Sequence, residues 1–418
     1  MQRLNFIYSV DVQFLRNNLM KWYFFGEKSG NPRVNEHLML YILSLLDPKS
    51  QFNASLVSHK WKEMTELTQK YTNLLPTIHR IPLLAKVGLD VLRLKLMSGG
   101  MTNTVYRVQI EPDRSKSLVK VPGVNQDLIE RSKPKRWVLR IPGEVSSFSV
   151  SRLDEAENAH KASVLGLNVP IEYFAPDGLQ LTQFIEGVQS LDKEMLQRVD
   201  ILKILAQMAK TLHTSERFDN DTAVFERNEQ LLDRLKGKSF VFPEKTGFIA
   251  EQMLALKKLF ASYQVEVSPC HNDSTPLNYM MAVVGKKKQE VFYQIDWEYS
   301  SNNDFMWDLV YFAIEGKLSK EQELAYLTAY FGKEPTNSIL AWFTAYKPVV
   351  EWWITLWSWT QLANEAKSVS KEEYIKLGAE RYAKTLEHLE SEEYRDALAL
   401  IDADKLAASF DGHRPFTS

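Results

Sequence analysis

The chain has 418 residues, 44% of them hydrophobic, and a formal net charge of −2. That balance fits an ordinary globular protein of two or more units and gives no reason to expect nucleic-acid binding. A single cysteine excludes an intrachain disulfide and fits a reducing, cytoplasmic setting. No uninterrupted apolar run is long enough to span a bilayer; the richest, around 346–363, is broken by Lys347, Glu351 and Gln361. Residues 1–30 carry Asp11, Arg16 and Lys21 in place of a secretory apolar core and read as an amphipathic helix.

Residues 31–80 read as a small helical module. Pro48 ends or opens a helix, and Trp61 closes a small core. The run Ile42-Leu43-Ser44-Leu45-Leu46, the Asp47-Pro48 break and the ending Leu56-Val57-Ser58-His59-Lys60-Trp61 resemble an F-box, the helical module that docks the Skp adaptor of cullin-type ubiquitin ligases. The resemblance implies an adaptor-binding surface on Leu38, Ile42, Leu45, Pro48, Leu56, Val57 and Trp61. The family's leading Leu-Pro is Val34-Asn35 in this chain. A helical hairpin that only packs on its neighbour is the alternative. Either way, a module of this size needs support from a partner or from the rest of the chain.

Residues 90–186 alternate into strands. Ser98-Gly99-Gly100-Met101-Thr102-Asn103 precedes a strand running to Val108, and small residues there let backbone N–H groups approach phosphates. Pro112 to Lys135 is a polar, Lys-rich loop. Trp137 to Gly143 reads as a buried strand carrying Arg140, and Gln180 to Gly187 as a strand and hinge that includes Gln183 and Ile185.

The segment from Cys270 to Asp308 is the most informative. His271-Asn272-Asp273 followed by Asn278 has the spacing H-x-D-x-x-x-x-N of a kinase catalytic loop, in which the Asp orients the attacking hydroxyl and the Asn holds Mg²⁺. Asp296 stands where a kinase keeps its metal-binding Asp. Between them, Tyr279–Val284 and Val291–Ile295 read as a hairpin that folds back to bring Asp273, Asn278 and Asp296 together. Asn278 and Asp296 supply oxygen ligands for a hard, octahedral Mg²⁺, while Asp273 stays free to accept the hydroxyl's hydrogen bond. His271 reads as a structural brace and Cys270 as a buried filler.

Cys270 to Asp273, Asn278, Ile295 to Tyr299, Asn303, Asp308-Leu309 and Phe312 to Glu315 resemble the choline/ethanolamine kinases, within the wider aminoglycoside-phosphotransferase and protein-kinase-like group. The resemblance extends over roughly residues 90–390 and is nearest to the bacterial choline kinases. It implies an α+β, bilobal kinase-like fold: a small β-rich N-lobe over 90–186 and a larger helical C-lobe over 187–390, preceded by the all-helical F-box-like module and followed by a tail over 391–418. It implies ATP and Mg²⁺ as cofactors. Ser98, Gly99, Gly100, Thr102 and Asn103 would lie at the phosphates, Arg140 would grip them, and Glu155 would pair with Arg140, with Glu157 as the alternative. Gln183 and Ile185 would lie at the adenine. For the acceptor it implies an aromatic wall from Tyr299, Trp357 and Trp353, with Glu315 as counter-charge to a quaternary ammonium. The family's second Trp falls on Ile354, one step from Trp353, and a later Tyr falls on Leu377, near Tyr374. The bland reading of Glu351 to Gln361 is a core helix.

In the tail, Glu390-Ser391-Glu392-Glu393 resembles acidic type IV secretion signals. With a bacterial-type kinase joined to a eukaryotic-type F-box, this resembles an effector delivered into a host cytosol. Three functional readings follow: a small-molecule kinase for choline or ethanolamine, a ubiquitin-ligase adaptor that recruits substrates with a kinase-like domain, or a phosphotransferase on another hydroxyl, such as an aminoglycoside, thiamine or a protein.

Overall fold

The structure is a computed structural model. It describes residues 40, 43–56, 59–88, 91–97, 103–110, 135–143, 150–263, 267–284, 288–366 and 369–408. Two compact units divide the chain: Met1–Ser98 with Val105–Arg140, and Gly99–Thr104 with Ile141–Ser418. Leu38, Ile42, Val57, Ser98, Gly99, Gly100 and Thr102 lie outside the described residues, as do the amino-terminal helix expected over 1–30 and nearly all of the Lys-rich loop.

In the first unit, Pro48 opens α1 (Pro48–Ser55). The Asp47 side chain accepts from the backbone N–H groups of Lys49 at 3.0 Å and Ser50 at 3.1 Å, and a proline at the first helical position loses no hydrogen bond. Helix α2 (His59–Ile78) follows. Leu40, Leu43, Ala54, Trp61 and Met64 close a small apolar core. Trp61, expected on the adaptor-binding surface, is only 4% exposed and belongs to that core, whereas Leu45 is 51%, Phe52 63% and Leu56 69% exposed. Phe52 was not singled out in the sequence because nothing in its local pattern separates an outward ring from a core ring. Strands β1 (Leu92–Met97) and β2 (Asn103–Ile110) pair antiparallel, Leu92 opposite Ile110 and Met97 opposite Val105, and β3 spans Lys135–Pro142. Helix α2 reaches this β structure: the Tyr71 hydroxyl donates to the Leu94 carbonyl at 2.6 Å, and the Lys70 ammonium lies 5.8 Å from the Tyr106 ring centroid. Residues on both sides of residue 80 thus share this compact unit.

The second unit starts its regular structure with α3 (Arg152–Val164), capped by the Ser151 hydroxyl. Strands β4 (Ile171–Phe174) and β5 (Gln180–Gln183) pair antiparallel. After β6 (Gln189–Ser190) and the short α4 (Lys193–Gln197) comes α5 (Val199–His213), whose Ile201, Leu202, Leu205, Ala209 and Leu212 recur at helical spacing and are buried. Helices α6 (Val224–Gly237) and α7 (Thr246–Ala261) lead into β7 (Ser268–Cys270). The hairpin forms as the spacing predicts, β8 (Tyr279–Val284) against β9 (Gln289–Gln294), with Tyr279 opposite Gln294. Strand β10 (Ser301–Asn303) pairs antiparallel with β7, Ser301 opposite Cys270. Helices α8 (Met306–Glu315), α9 (Lys320–Phe331), α10 (Asn337–Ala363), α11 (Lys371–Glu390) and α12 (Glu392–Ala408) complete it.

Helix α10 is buried on nearly every face, Trp342, Val349, Trp352 and Leu356 included, which is why its sequence is apolar all round. The core includes residues beyond 390: Tyr394, Ala397 and Ile401 are buried in it, and the Tyr263 hydroxyl donates to the Ile401 carbonyl at 2.8 Å. Two carboxylates of the acidic run are ion-paired to this unit, Glu390 with Lys245 at 2.5 Å and Glu393 with Lys320 at 3.0 Å.

Candidate functional site

Two strand pairings assemble the centre. Because β7 and β10 pair with Cys270 opposite Ser301, the loop leaving β7 and the turn entering β10 emerge together. Because β8 and β9 fold back, the Ile295 N–H donates to the Asn278 carbonyl at 2.8 Å. Asp273, Asn278 and Asp296 thus come from loops tied to one another.

The loop is pinned from below by Asp308, in the first turn of α8. Its carboxylate accepts the backbone N–H groups of His271 at 2.7 Å and Asn272 at 2.8 Å. His213 donates to it at 3.2 Å. Burial would raise the Asp308 carboxyl, but these donors hold it below the usual carboxylate range. Asn272 adopts φ 64°, a left-handed conformation that Asn tolerates. Its side chain donates to the Tyr299 carbonyl at 2.9 Å and the Ser301 hydroxyl at 2.7 Å, bridging the two loops. His271 is a brace: its Nε2 meets the Ile295 carbonyl at 3.0 Å, and its ring packs edge-on against Trp297 at 4.7 Å. Burial lowers its pKa, so it stays neutral. Cys270 is fully buried, and burial pushes its thiol well up. His213, Cys270 and Asp308 carry ligand-type atoms within 4.8 Å of one another, but His213 is spent on Tyr330 and Asp308, and Asp308 on the loop backbone.

At the centre, Asn278 Nδ2 donates to the Asp273 carboxylate at 3.0 Å and to its carbonyl at 2.9 Å. Burial, and then the neighbouring Asp296 charge, push Asp273 up to about 7, against the Tyr311 and Asn278 hydrogen bonds. Asp296 sits at φ 68°, ψ 64°. A non-glycine residue there is strained by roughly 1–3 kcal/mol and is held only by its surroundings.

Asn103 opens β2 and Arg140 is buried in β3. Glu155 is buried while Glu157 is exposed, but the Glu155 carboxylate meets Arg152 at 2.7 Å, and Arg152 also holds Glu298 at 3.1 Å. This link from α3 to the Asp296 turn was invisible in the sequence, where Arg152 reads as a helix-end charge. The Gln183 side chain donates to Glu172 at 3.0 Å, and Ile185 follows β5, half-buried.

The aromatic residues do converge. The Trp357 Nε1 donates to the Tyr299 hydroxyl at 3.1 Å, Tyr299 meets Trp353 edge-on at 6.1 Å, and Tyr374 lies 6.0 Å from Trp357. Tyr374, rather than Leu377, gives the second ring beside Trp357. Two arginines bear on this wall. The face of Trp353 is covered by the Arg227 guanidinium, 3.7 Å from the ring centroid. Glu315, expected as a counter-charge, is ion-paired to Arg381 at 2.5 Å, and Arg381 also meets Glu351 at 3.2 Å. Both arginines lie far from the motifs in sequence, on helices α6 and α11, and no local spacing marks them.

The choline/ethanolamine kinase family model matches residues 94–384, and the F-box domain model matches residues 32–71. Protein LicA of Haemophilus influenzae is 31% identical over 201 residues, 47% of this chain and 72% of that protein. A choline/ethanolamine kinase family protein from Mesorhizobium loti superposes with a TM-score of 0.62 at 24% identity, over 79% of this chain and 98% of that one. LicA in complex with AMP superposes with a TM-score of 0.52 at 21% identity, over 72% of this chain and 93% of that one. At those identities the structural likeness speaks to fold. The chain is a member of the choline/ethanolamine kinase family, with a protein-kinase-like α+β fold, and carries an F-box domain on its amino-terminal side.

Proposed function

We propose that the protein transfers the γ-phosphoryl group of Mg²⁺-ATP to the hydroxyl of a small amino alcohol, and that its F-box domain docks a Skp-type adaptor. The observation that carries the first part is the trio Asp273, Asn278 and Asp296 on two loops tied together by Asp308 and Asn272. The donor set fits magnesium: Asn278 spends its Nδ2 on Asp273, which leaves its side-chain oxygen, with the Asp296 carboxylate, as hard oxygen ligands. When bound, the metal neutralises charge on the phosphates. Asp273 accepts the hydrogen bond of the acceptor hydroxyl. As the acceptor oxygen bonds to the γ-phosphorus and the bridging P–O bond breaks, Asp273 takes the proton and ADP leaves with the electron pair. A carboxylate raised toward neutrality is better matched to that proton transfer than an ordinary one. The AMP bound by the related LicA supports an adenine nucleotide as donor. Arg140 would grip its phosphates, with Ser98, Gly99, Gly100, Thr102 and Asn103 near them and Gln183 and Ile185 near the base.

Choline and ethanolamine are the reference acceptors, and Tyr299, Trp357 and Tyr374 are the rings that would face them. Arg227 over Trp353 favours a second reading, in which the acceptor is another hydroxyl compound. The test is ADP release by the full chain with Mg²⁺-ATP and a panel of alcohols. Asp273→Asn should lower kcat by orders of magnitude and leave ATP binding near normal, whereas Asp296→Asn should abolish turnover and weaken Mg²⁺-ATP binding. Full activity of Asp273→Asn would refute the assignment.

A further inference from the structure

Arg227 is a buried cation of the second unit whose donors are not all used. It projects from α6 with its guanidinium 3.7 Å from the Trp353 ring centroid and 5.7 Å from that of Trp307. Its Nε and Nη2 are sealed from solvent and make no hydrogen bond. Burial lowers its pKa to about 10, with Tyr299, Tyr311 and Asp273 the groups that act to restore it, so it is charged at neutral pH. A buried cation with unused donors is costly unless something completes its hydrogen bonds. Retaining one beside the candidate catalytic aspartate points to a ligand that does so.

A quaternary ammonium does not. It would meet a fixed positive charge at the ring face that should attract it, and the acid expected to balance it, Glu315, already faces Arg381. An oxyanion does. The guanidinium fork matches a carboxylate or phosphate in pairs of parallel hydrogen bonds, and the Trp353 ring lies against it at 3.7 Å.

We propose that Arg227 binds an oxyanion of the acceptor, so that the alcohol phosphorylated here carries a carboxylate or phosphate as well as its hydroxyl. This rests on reading the site as a phosphotransfer centre and deepens the second reading above, in which the acceptor is a hydroxyl compound other than choline or ethanolamine. The transfer step is unchanged: the hydroxyl is phosphorylated, and the acidic group only anchors the molecule.

The experiment measures ADP release and ³¹P product spectra for the full chain with Mg²⁺-ATP and five alcohols: choline, ethanolamine, glycerol, L-serine and glycerol 3-phosphate. L-serine and glycerol 3-phosphate separate a carboxylate from a phosphate. The expected result is turnover of at least one of these two, at a KM at least tenfold below those of choline and glycerol. Arg227→Gln should raise that KM by roughly a hundredfold, the scale of losing a paired, charge-assisted contact, with the KM for ATP little changed. Arg227→Lys should recover part of the loss. Preference for choline or ethanolamine, with Arg227→Gln neutral or improving, would overturn the proposal and make Arg227 an internal cation that the acceptor displaces, leaving the phosphotransfer reading intact. No Mg²⁺-ATP binding and no turnover of any alcohol would instead refute that reading and the proposal with it. Should Arg227→Gln fail to fold, the wild-type ranking of the five alcohols decides.

Discussion

The Asp308 carboxylate accepts the backbone N–H of His271 at 2.7 Å, so the candidate catalytic loop hangs from α8, the helix whose Tyr311 also hydrogen-bonds Asp273. The same carboxylate takes the Asn272 N–H and the His213 ring. In Asp308→Asn one carboxylate oxygen becomes an NH₂ that faces a backbone N–H. The expected loss is about 2–4 kcal/mol of stability, read from urea denaturation. Turnover should fall with it, because Asp273 is carried by the loosened loop.

The proposed adaptor surface can be separated from the core of its own module. Leu45, Phe52 and Leu56 are exposed, and Pro48 lies between them. A triple change of Leu45, Pro48 and Phe52 to Ala should abolish capture of a purified Skp-type adaptor by the full chain, while the melting temperature stays near wild type. Central apolar residues of such interfaces cost about 2 kcal/mol or more each when they are hot spots. Trp61→Ala should behave differently, costing about 3–5 kcal/mol of stability as a core truncation. Capture of the adaptor by the triple variant at wild-type affinity would place the docking surface elsewhere.

Helices α10 and α11 touch at a point that admits no side chain. A Cβ on Gly378 would lie 2.7 Å from Cδ1 and 2.8 Å from Nε1 of Trp359, a buried ring packed by Phe240, Phe242 and Trp352. The ring has nowhere to retreat. Gly378→Ala should therefore destabilise by about 1–3 kcal/mol, despite the better helix propensity of alanine. A neutral result in thermal melting would mean that the helices slide apart at no cost.

Acid sensitivity should depend on His388. Burial, and then the Lys347 charge, lower its pKa to about 4. The folded state keeps it neutral while the unfolded chain binds a proton near pH 6.5. The resulting stability is fully present above about pH 6.5 and is lost as pH falls through about 4, a total of about 2–3 kcal/mol. His388→Gln cannot titrate, so its melting temperature should fall less steeply than that of wild type between pH 6.5 and 4.5.

What the sequence revealed depends on whether the signal was local. The hairpin of Tyr279–Val284 and its partner was legible because strand alternation and turn residues sit side by side, and the F-box was legible because its core, break and ending lie within thirty residues. The polar residues at 390–393 gave no local sign of their partners: Glu390 ends one helix, Glu392 starts the next, and Glu390 and Glu393 make ion pairs with distant lysines. Trp61 was legible as the ring that closes a small core, and its burial there leaves the surface role that the F-box resemblance implied for it to exposed neighbours such as Leu45 and Leu56. Arg152, Arg227 and Arg381 were missed for the opposite reason: each acts on a residue far away in the chain, and an arginine on an amphipathic helix looks the same whether it meets water or a carboxylate.

The Tyr71 hydroxyl on the Leu94 carbonyl bears on how such a chain can be engineered. The F-box match ends at residue 71, so the tyrosine that bonds to the β structure is also the last residue of the borrowed motif. Transplanting another F-box onto this kinase would strip the Leu94 carbonyl of its donor and uncover the Tyr106 ring. The two parts are grafted, not strung like beads, and an exchange that ignored the graft line would unsettle the kinase sheet before any adaptor arrived.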